Sequence, residues 1–232
     1  MKIGIITAMS SEQKQLANQL TEIKETSKGP FNYIEGKINN NEIVLMQCGI
    51  GKVNAAAGTV ELITNFKPDC IISTGVAGGI DTCLKVMDVV VSRNIVYHDV
   101  WCGEGNAYGQ IQGLPTFFEG NETLYNTAMS LDTETAIHGG LICTGDKFIT
   151  DRKELDEIKS NFHEGLAVDM ESASIAQVCY LYKVPFISFR IISDTPGAEN
   201  HFDQYLNFWG EMANRSFKVT ETFLKALPNK IC

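Results

Sequence analysis

The sequence predicts an α/β chain: a three-layer α/β/α sandwich around a mixed, twisted central sheet. Three observations carry that expectation. Short apolar, β-branched runs alternate along the chain with stretches of helical period, the pattern of a sheet covered on both faces. The runs themselves, such as Cys70-Ile-Ile-Ser73, lack the period-two alternation of a half-exposed sheet and suit strands buried on both sides. The 232 residues, 44% of them apolar, are enough to bury a core without disulfides or metals. No repeat, low-complexity tract or linker rich in Pro, Gly and Ser divides them, so one domain over residues 1–232 is expected.

From the N-terminus, a strand over residues 3–6 leads into a helix over 10–23, with Ser10 or Ser11 as its cap. Strands over 33–38 and 43–47 form a hairpin across the polar turn Asn39-Asn40-Asn41. A helix over 52–65, rich in small residues, suits close packing on the sheet, and strands over 70–73 and 89–92 follow. Residues 101–115 are the longest glycine-rich irregular stretch, and loops of that length usually carry function. A helix over 122–130, a strand over 140–143 and helices over 152–161 and 170–182 come next. The most apolar strand spans 185–192, and a last helix spans 203–226.

Composition excludes several classes. Nineteen Lys and Arg against 28 Asp and Glu give a net charge of −9, and a chain with four arginines has no basic face for a nucleic-acid backbone. The apolar N-terminal stretch meets Glu12 too soon for a signal peptide, and no apolar run is long enough to span a membrane. Seven cysteines without a C-x-x-C pair read as reduced thiols of a cytoplasmic protein. His98, His138, His163 and His201 show no ligand spacing, so neither a metal nor a cofactor is expected.

In open α/β sheets ligands gather at the carboxyl ends of strands, so the residues that follow each strand are the candidates. Glu12 follows the first, where its everyday role is a first-turn acid complementing the helix dipole. Gly49-Ile50-Gly51-Lys52 and Gly75-Val76-Ala77-Gly78-Gly79 permit close backbone approach to a ligand. Their spacing matches neither the dinucleotide fingerprint nor the P-loop. Gly145-Asp146-Lys147-Phe148-Ile149 offers a ring for stacking, although a core phenylalanine is the commoner outcome. Glu171, among small and apolar residues, must be bonded if it is buried. Asp194 directly follows the most apolar strand, where an ordinary acid caps a helix or a turn.

Taken together, six motifs resemble the nucleoside phosphorylase/nucleosidase superfamily, in family order from Met1 to about Ala226. They are Gly4-Ile-Ile-Thr-Ala-Met9 with Glu12, Gly49-Ile-Gly-Lys-Val53, Thr74-Gly-Val-Ala-Gly-Gly79, Gly145-Asp-Lys-Phe-Ile149, Val168-Asp-Met-Glu171 and Arg190-Ile-Ile-Ser-Asp194. Within it they are most similar to the branch that hydrolyses 5′-methylthioadenosine and S-adenosylhomocysteine. The resemblance implies the phosphorylase/hydrolase-like fold and hydrolysis of the bond between adenine and a 5′-thio-substituted ribose. It makes Glu12 the acid that activates water, Glu171 the acid on the ribose hydroxyls and Asp194 the acid that protonates purine N7. It likewise implies that Phe148 stacks on adenine and that the Ile149 backbone pairs with the purine edge. Met9, Ile50, Met170 and Phe202 wall the ribose and the 5′ substituent, and Val76, Ala77 and Gly78 complete the substrate site. Trp101, Tyr108 and Pro115 belong to a segment that reaches a partner subunit's pocket, so a homodimer is implied.

Three rivals stand beside this reading. A purine nucleoside or uridine phosphorylase needs cationic groups for phosphate, and none of the four arginines lies in the first 92 residues, where the family's phosphate arginines fall. A futalosine hydrolase shares the chemistry, but Met9, Ile50 and Phe202 suit a thioether better than a carboxylate-bearing group. A non-catalytic nucleoside-binding protein would not need all three acids. Three departures mark the chain. Val76 stands where many members have serine, Met87-Asp88 replaces a common Gly-Asp, and residues 195–202 are shorter than usual.

Overall fold

The computed structural model describes residues 1–195, 201–208, 213–228 and 231, with the backbone alone at 201, 202, 207 and 213–216. The strands are β1 (Lys2–Thr7), β2 (Thr21–Lys28), β3 (Phe31–Ile38), β4 (Asn41–Gln47), β5 (Cys70–Gly79), β6 (Val89–Tyr97), β7 (Phe118–Glu119), β8 (Ile137–Thr144), β9 (Gly165–Asp169) and β10 (Phe186–Asp194). The helices are α1 (Ser10–Ala17), α2 (Lys52–Phe66), α3 (Glu122–Met129), α4 (Arg152–Asn161), α5 (Ser172–Tyr182), α6 (His201–Asn207) and α7 (Ala213–Ala226). All the strands join one mixed sheet, ordered β10-β6-β8-β9-β5-β1-β4-β3-β2, with β7 on β6. Helices cover both faces: α2 packs with α5 on one, and α1 and α3 with α7 on the other.

β5 organises the sheet. Its first residues pair in parallel with β1, from Ile3↔Cys70 to Ile6↔Ser73. Along most of its length it also pairs with β10, from Phe186↔Ile71 to Asp194↔Gly78. Its last two residues turn onto β9, as Gly78↔Val168 and Gly79↔Ala167. Because β9 also pairs with β8, β8 with β6 and β6 with β10, these five strands close on themselves. The closure brings Gly78, Thr144, Asp169 and Asp194 to one rim, since Thr144 faces Asp169 across β8–β9. The ring is why one cleft collects the ends of strands far apart in the sequence.

Several elements differ from the sequence expectation. The first helix stops at Ala17, and residues 21–28 form β2 instead. β2 is an edge strand, nearly all exposed, with Glu22 at φ 52° where its register against β3 shifts. Polar edge strands carry no buried face, so no alternation signals them. β9 is five residues long and runs directly into the turn before α5, so its apolar residues merge with the helix that follows. Met170 and Glu171 therefore lie in that turn, and α5 starts at Ser172. β5 continues past the expected end at Ser73, through the glycines, to Gly79. Within the stretch 203–226, residues 203–207 fall in α6 and 213–226 in α7, and residues 209–212 lie outside the described residues. Among the described residues, no helix is long and apolar enough to cross a membrane.

Candidate active site

α1 opens without a serine cap. Its N-cap is Met9, and the Glu12 carboxylate reaches back instead, accepting from the Ala8 and Met9 N–H groups, both at 2.9 Å. Its other oxygen accepts from the Val76 N–H of β5 at 3.1 Å. Glu12 is only 2% exposed, so it is not the solvated first-turn acid of the everyday reading. Burial raises its pKa above the usual carboxylate value, against the opposing Arg190 charge and the three amides. Gly75 makes this approach possible: a Cβ there would lie 2.6 Å from Glu12 Oε1 and 2.9 Å from Arg190 Nη1.

Arg190, from the middle of β10, is fully enclosed. Its Nε donates to Asp169 Oδ2 at 2.5 Å, and one terminal nitrogen donates to Ser73 Oγ at 3.0 Å. That same nitrogen lies 3.8 Å from Glu171 Oε2. Asp169 is further held by the Thr144 hydroxyl at 2.5 Å and by the Ser172 N–H at 3.1 Å. Glu171 accepts from the Gly51 N–H at 3.0 Å. Its pKa is raised to about 7, first by burial and then by the Asp169 charge, while Arg190 and the Gly51 amide oppose the rise. A buried cation thus sits among three acids, an arrangement that low-dielectric surroundings permit only because the charges bond one another. Cys48 nearby is no nucleophile: burial pushes its thiol up to about 12.

Asp194 ends β10, buried, with the Ser193 hydroxyl donating to its Oδ1 at 2.6 Å. Phe148 is half exposed at the rim, and its ring meets the Tyr205 ring edge-on at 5.7 Å. The adjoining Ile149 is buried.

One cleft, open to solvent, gathers these groups. Met9, Glu12, Ile50, Val76, Ala77, Gly78, Phe148, Ile149, Met170, Glu171 and Asp194 all line it. The side chain of Phe202 lies outside the described residues. Trp101, Tyr108 and Pro115 do not line this cleft. Trp101 is 64% exposed, and Tyr108 donates to the His98 carbonyl at 2.9 Å with its ring against Phe162. Sequence reasoning gave no site role to Asp169, Arg190, Ser193 or Tyr205. Arg190 had a signal: a lone cation inside the most apolar run of the chain must find buried partners.

Buried acids at the strand ends of a mixed α/β sheet, around a cleft sized for a small molecule, define a class of enzyme. The chain belongs to the phosphorylase superfamily, whose family model matches residues 2–225. Within it, the chain is similar to the 5′-methylthioadenosine/S-adenosylhomocysteine nucleosidase of Exiguobacterium sp., at 43% identity over 212 residues, 89% of this chain and 91% of that protein. The nucleosidase of Colwellia psychrerythraea 34H, solved in complex with adenine, superposes with a TM-score of 0.93 at 36% identity, covering 100% of this chain and 97% of that one. Futalosine hydrolase of Helicobacter pylori superposes with a TM-score of 0.90 at 30% identity, covering 98% of each chain.

Proposed function

We propose that the protein hydrolyses the N-glycosidic bond of 5′-methylthioadenosine and S-adenosylhomocysteine, and of 5′-deoxyadenosine, releasing adenine and the 5-substituted ribose. The observation that carries this is the gathering of Glu12, Glu171 and Asp194 in one cleft, each buried. Cleaving the bond builds positive charge on the sugar, with an acid needed on the leaving group and a base on the water. Glu12 takes the proton from water, and burial, which raises its pKa above the usual carboxylate value, makes it a stronger base than a solvated carboxylate. Asp194 delivers a proton to purine N7, so adenine leaves neutral, with the Ser193 hydroxyl steadying Oδ1. Glu171 accepts from the ribose hydroxyls and strengthens that contact as the ring becomes cationic. Phe148 stacks on the base, the Ile149 backbone meets the purine edge, and Met9, Ile50 and Met170 enclose the ribose and the thio group.

Water is the nucleophile in this reading because the groups that would serve phosphate are taken. Arg190 is bound to Asp169 and Ser73, and the Val76 N–H is bound to Glu12. Apolar Met9 and Ile50 favour a thioether over a charged 5′ group, which separates this reading from futalosine hydrolysis. Glu12→Gln and Asp194→Asn each lower kcat by about 10²–10⁴-fold with unchanged circular dichroism. Near-normal turnover in either variant removes that residue from its role.

The protein acts in this reading as a cytoplasmic homodimer of one-domain subunits. Support comes from the exposure of large apolar side chains, among them Trp101, Tyr108, Val53, Tyr180 and Leu181. Pro115 belongs to the same loop, which would complete the partner's cleft. Sedimentation at micromolar concentration is expected to give twice the chain mass of 25.6 kDa, and a monomer contradicts the dimer.

A further inference from the structure

The helix that begins two residues after Ile50 of the cleft is capped from another segment. α2 has no side-chain cap of its own, because its N-cap is Gly51, and no acid lies in its first turn. The first amides of a helix have no partner within it. Asp146, in the turn after β8, supplies one: the Lys52 N–H donates to its Oδ1 at 2.8 Å. Asp146 is seated by Asp99, in the turn after β6. A single Asp99 oxygen accepts both the Asp146 N–H at 2.9 Å and the Lys52 ammonium at 2.7 Å. Segments that follow β4, β6 and β8 are thereby tied at one point.

The tie lies one residue from a cleft acid. Gly51, immediately before Lys52, is the residue whose N–H donates to Glu171 Oε1 at 3.0 Å. It holds φ 93°, a conformation open to glycine, and a Cβ there would meet Asp146 Oδ1 at 3.0 Å. So the Asp146 carboxylate packs directly on the residue that orients Glu171.

We propose that Asp146 is a positioning residue: by capping α2 at Lys52 it fixes the Gly51 N–H on Glu171, and so aims the carboxylate that meets the ribose hydroxyls. The inference rests on the reading of Glu171 given above. The hydrogen bond from Gly51 also favours the ionised carboxylate against its burial, so the tie serves charge as well as direction. A misaimed acid loses the contact that strengthens in the transition state, and small displacements of such groups are costly.

The test compares 5′-methylthioadenosine with its 2′,3′-dideoxy analogue, which offers Glu171 no hydroxyl. Asp146→Ala is expected to lower kcat/KM for the hydroxylated substrate about 10- to 100-fold, as for loss of a hydrogen bond to a charged group. For the dideoxy analogue the loss stays under about threefold. Asp146→Asn keeps an oxygen for the Lys52 N–H and is expected to remain within about threefold of the parent on both. Lys52→Pro removes the capped N–H at a first-turn position that tolerates proline, and gives the same selective loss with the Asp146 carboxylate intact. Equal losses on the two substrates, no loss in Asp146→Ala, or damage in Asp146→Asn equal to that in Asp146→Ala overturns the inference. If the parent enzyme itself treats both substrates alike, the ribose role of Glu171 fails and the positioning role fails with it. A parent that discriminates, with variants that lose activity evenly, overturns the positioning role alone.

Discussion

At the residue scale, the chemistry depends on acids kept out of water. Glu171 shows the consequence most directly. Its pKa rises from 4.5 to about 7 because burial and the neighbouring Asp169 charge penalise the carboxylate. A carboxyl whose folded pKa exceeds its unfolded value holds its proton better in the native state. Its stabilising contribution is complete below about pH 4.5 and is lost as pH rises through about 7. Buried His98 has its pKa lowered by burial and acts in the opposite sense, so the parent protein alone mixes the two effects. Subtraction separates them. The stability of Glu171→Gln relative to the parent is expected to increase between pH 5 and pH 8, measured by urea unfolding at each pH. A difference that is flat across that range contradicts the assignment. Glu12 and Asp194 were legible in the sequence because each comes after an apolar strand, and Glu171 because an acid among small and apolar residues must be bonded if it is buried. The part of Arg190, which faces Asp169 and Glu171, was not, because a side chain's partners across a sheet depend on strand order, which local pattern does not reveal.

At the element scale, the strands with a buried face and enough length were legible, β3 in its hairpin with β4 included, and β2, β7 and β9 were not. β1, β4, β5, β6, β8 and β10 show as apolar runs because each must satisfy a core. β2 buries almost nothing and β9 is too short to separate from α5, so neither leaves a period to read. Element ends also carry backbone strain. Lys67 and Lys183 close α2 and α5 in the left-handed region, at φ 50° and 56°, and Met87 sits at φ 82°. Met87 stands where the family commonly has glycine, and its φ explains why glycine suits the position. A left-handed conformation costs an ordinary residue about 1–2 kcal/mol. Lys67→Gly and Lys183→Gly, both at exposed positions, are each expected to stabilise by about 1 kcal/mol, a rise of roughly 2–4 °C in Tm for a chain of this size. Calorimetry that shows a fall in Tm for both variants contradicts this account of the caps.

At the scale of the whole molecule, closure of five strands into a ring is what makes the site. β5 reaches β1, β10 and β9 in turn, and its last glycines meet strands that come from far along the chain. The layered α/β class was legible from alternation of strand and helix, but the closure was not, since it depends on β9. Acidic balance, which first served to exclude nucleic acid, gains a sharper meaning here. Of 28 acidic residues, four gather around one buried arginine and the end of β10, while the arginine itself is held by acid and hydroxyl. That leaves water as the attacking group. The most direct test is adenine release from 5′-methylthioadenosine in phosphate-free buffer, followed by ultraviolet absorbance. Release at a rate that added phosphate does not change is the predicted result. No release until phosphate is supplied would contradict hydrolysis and make the protein a phosphorylase.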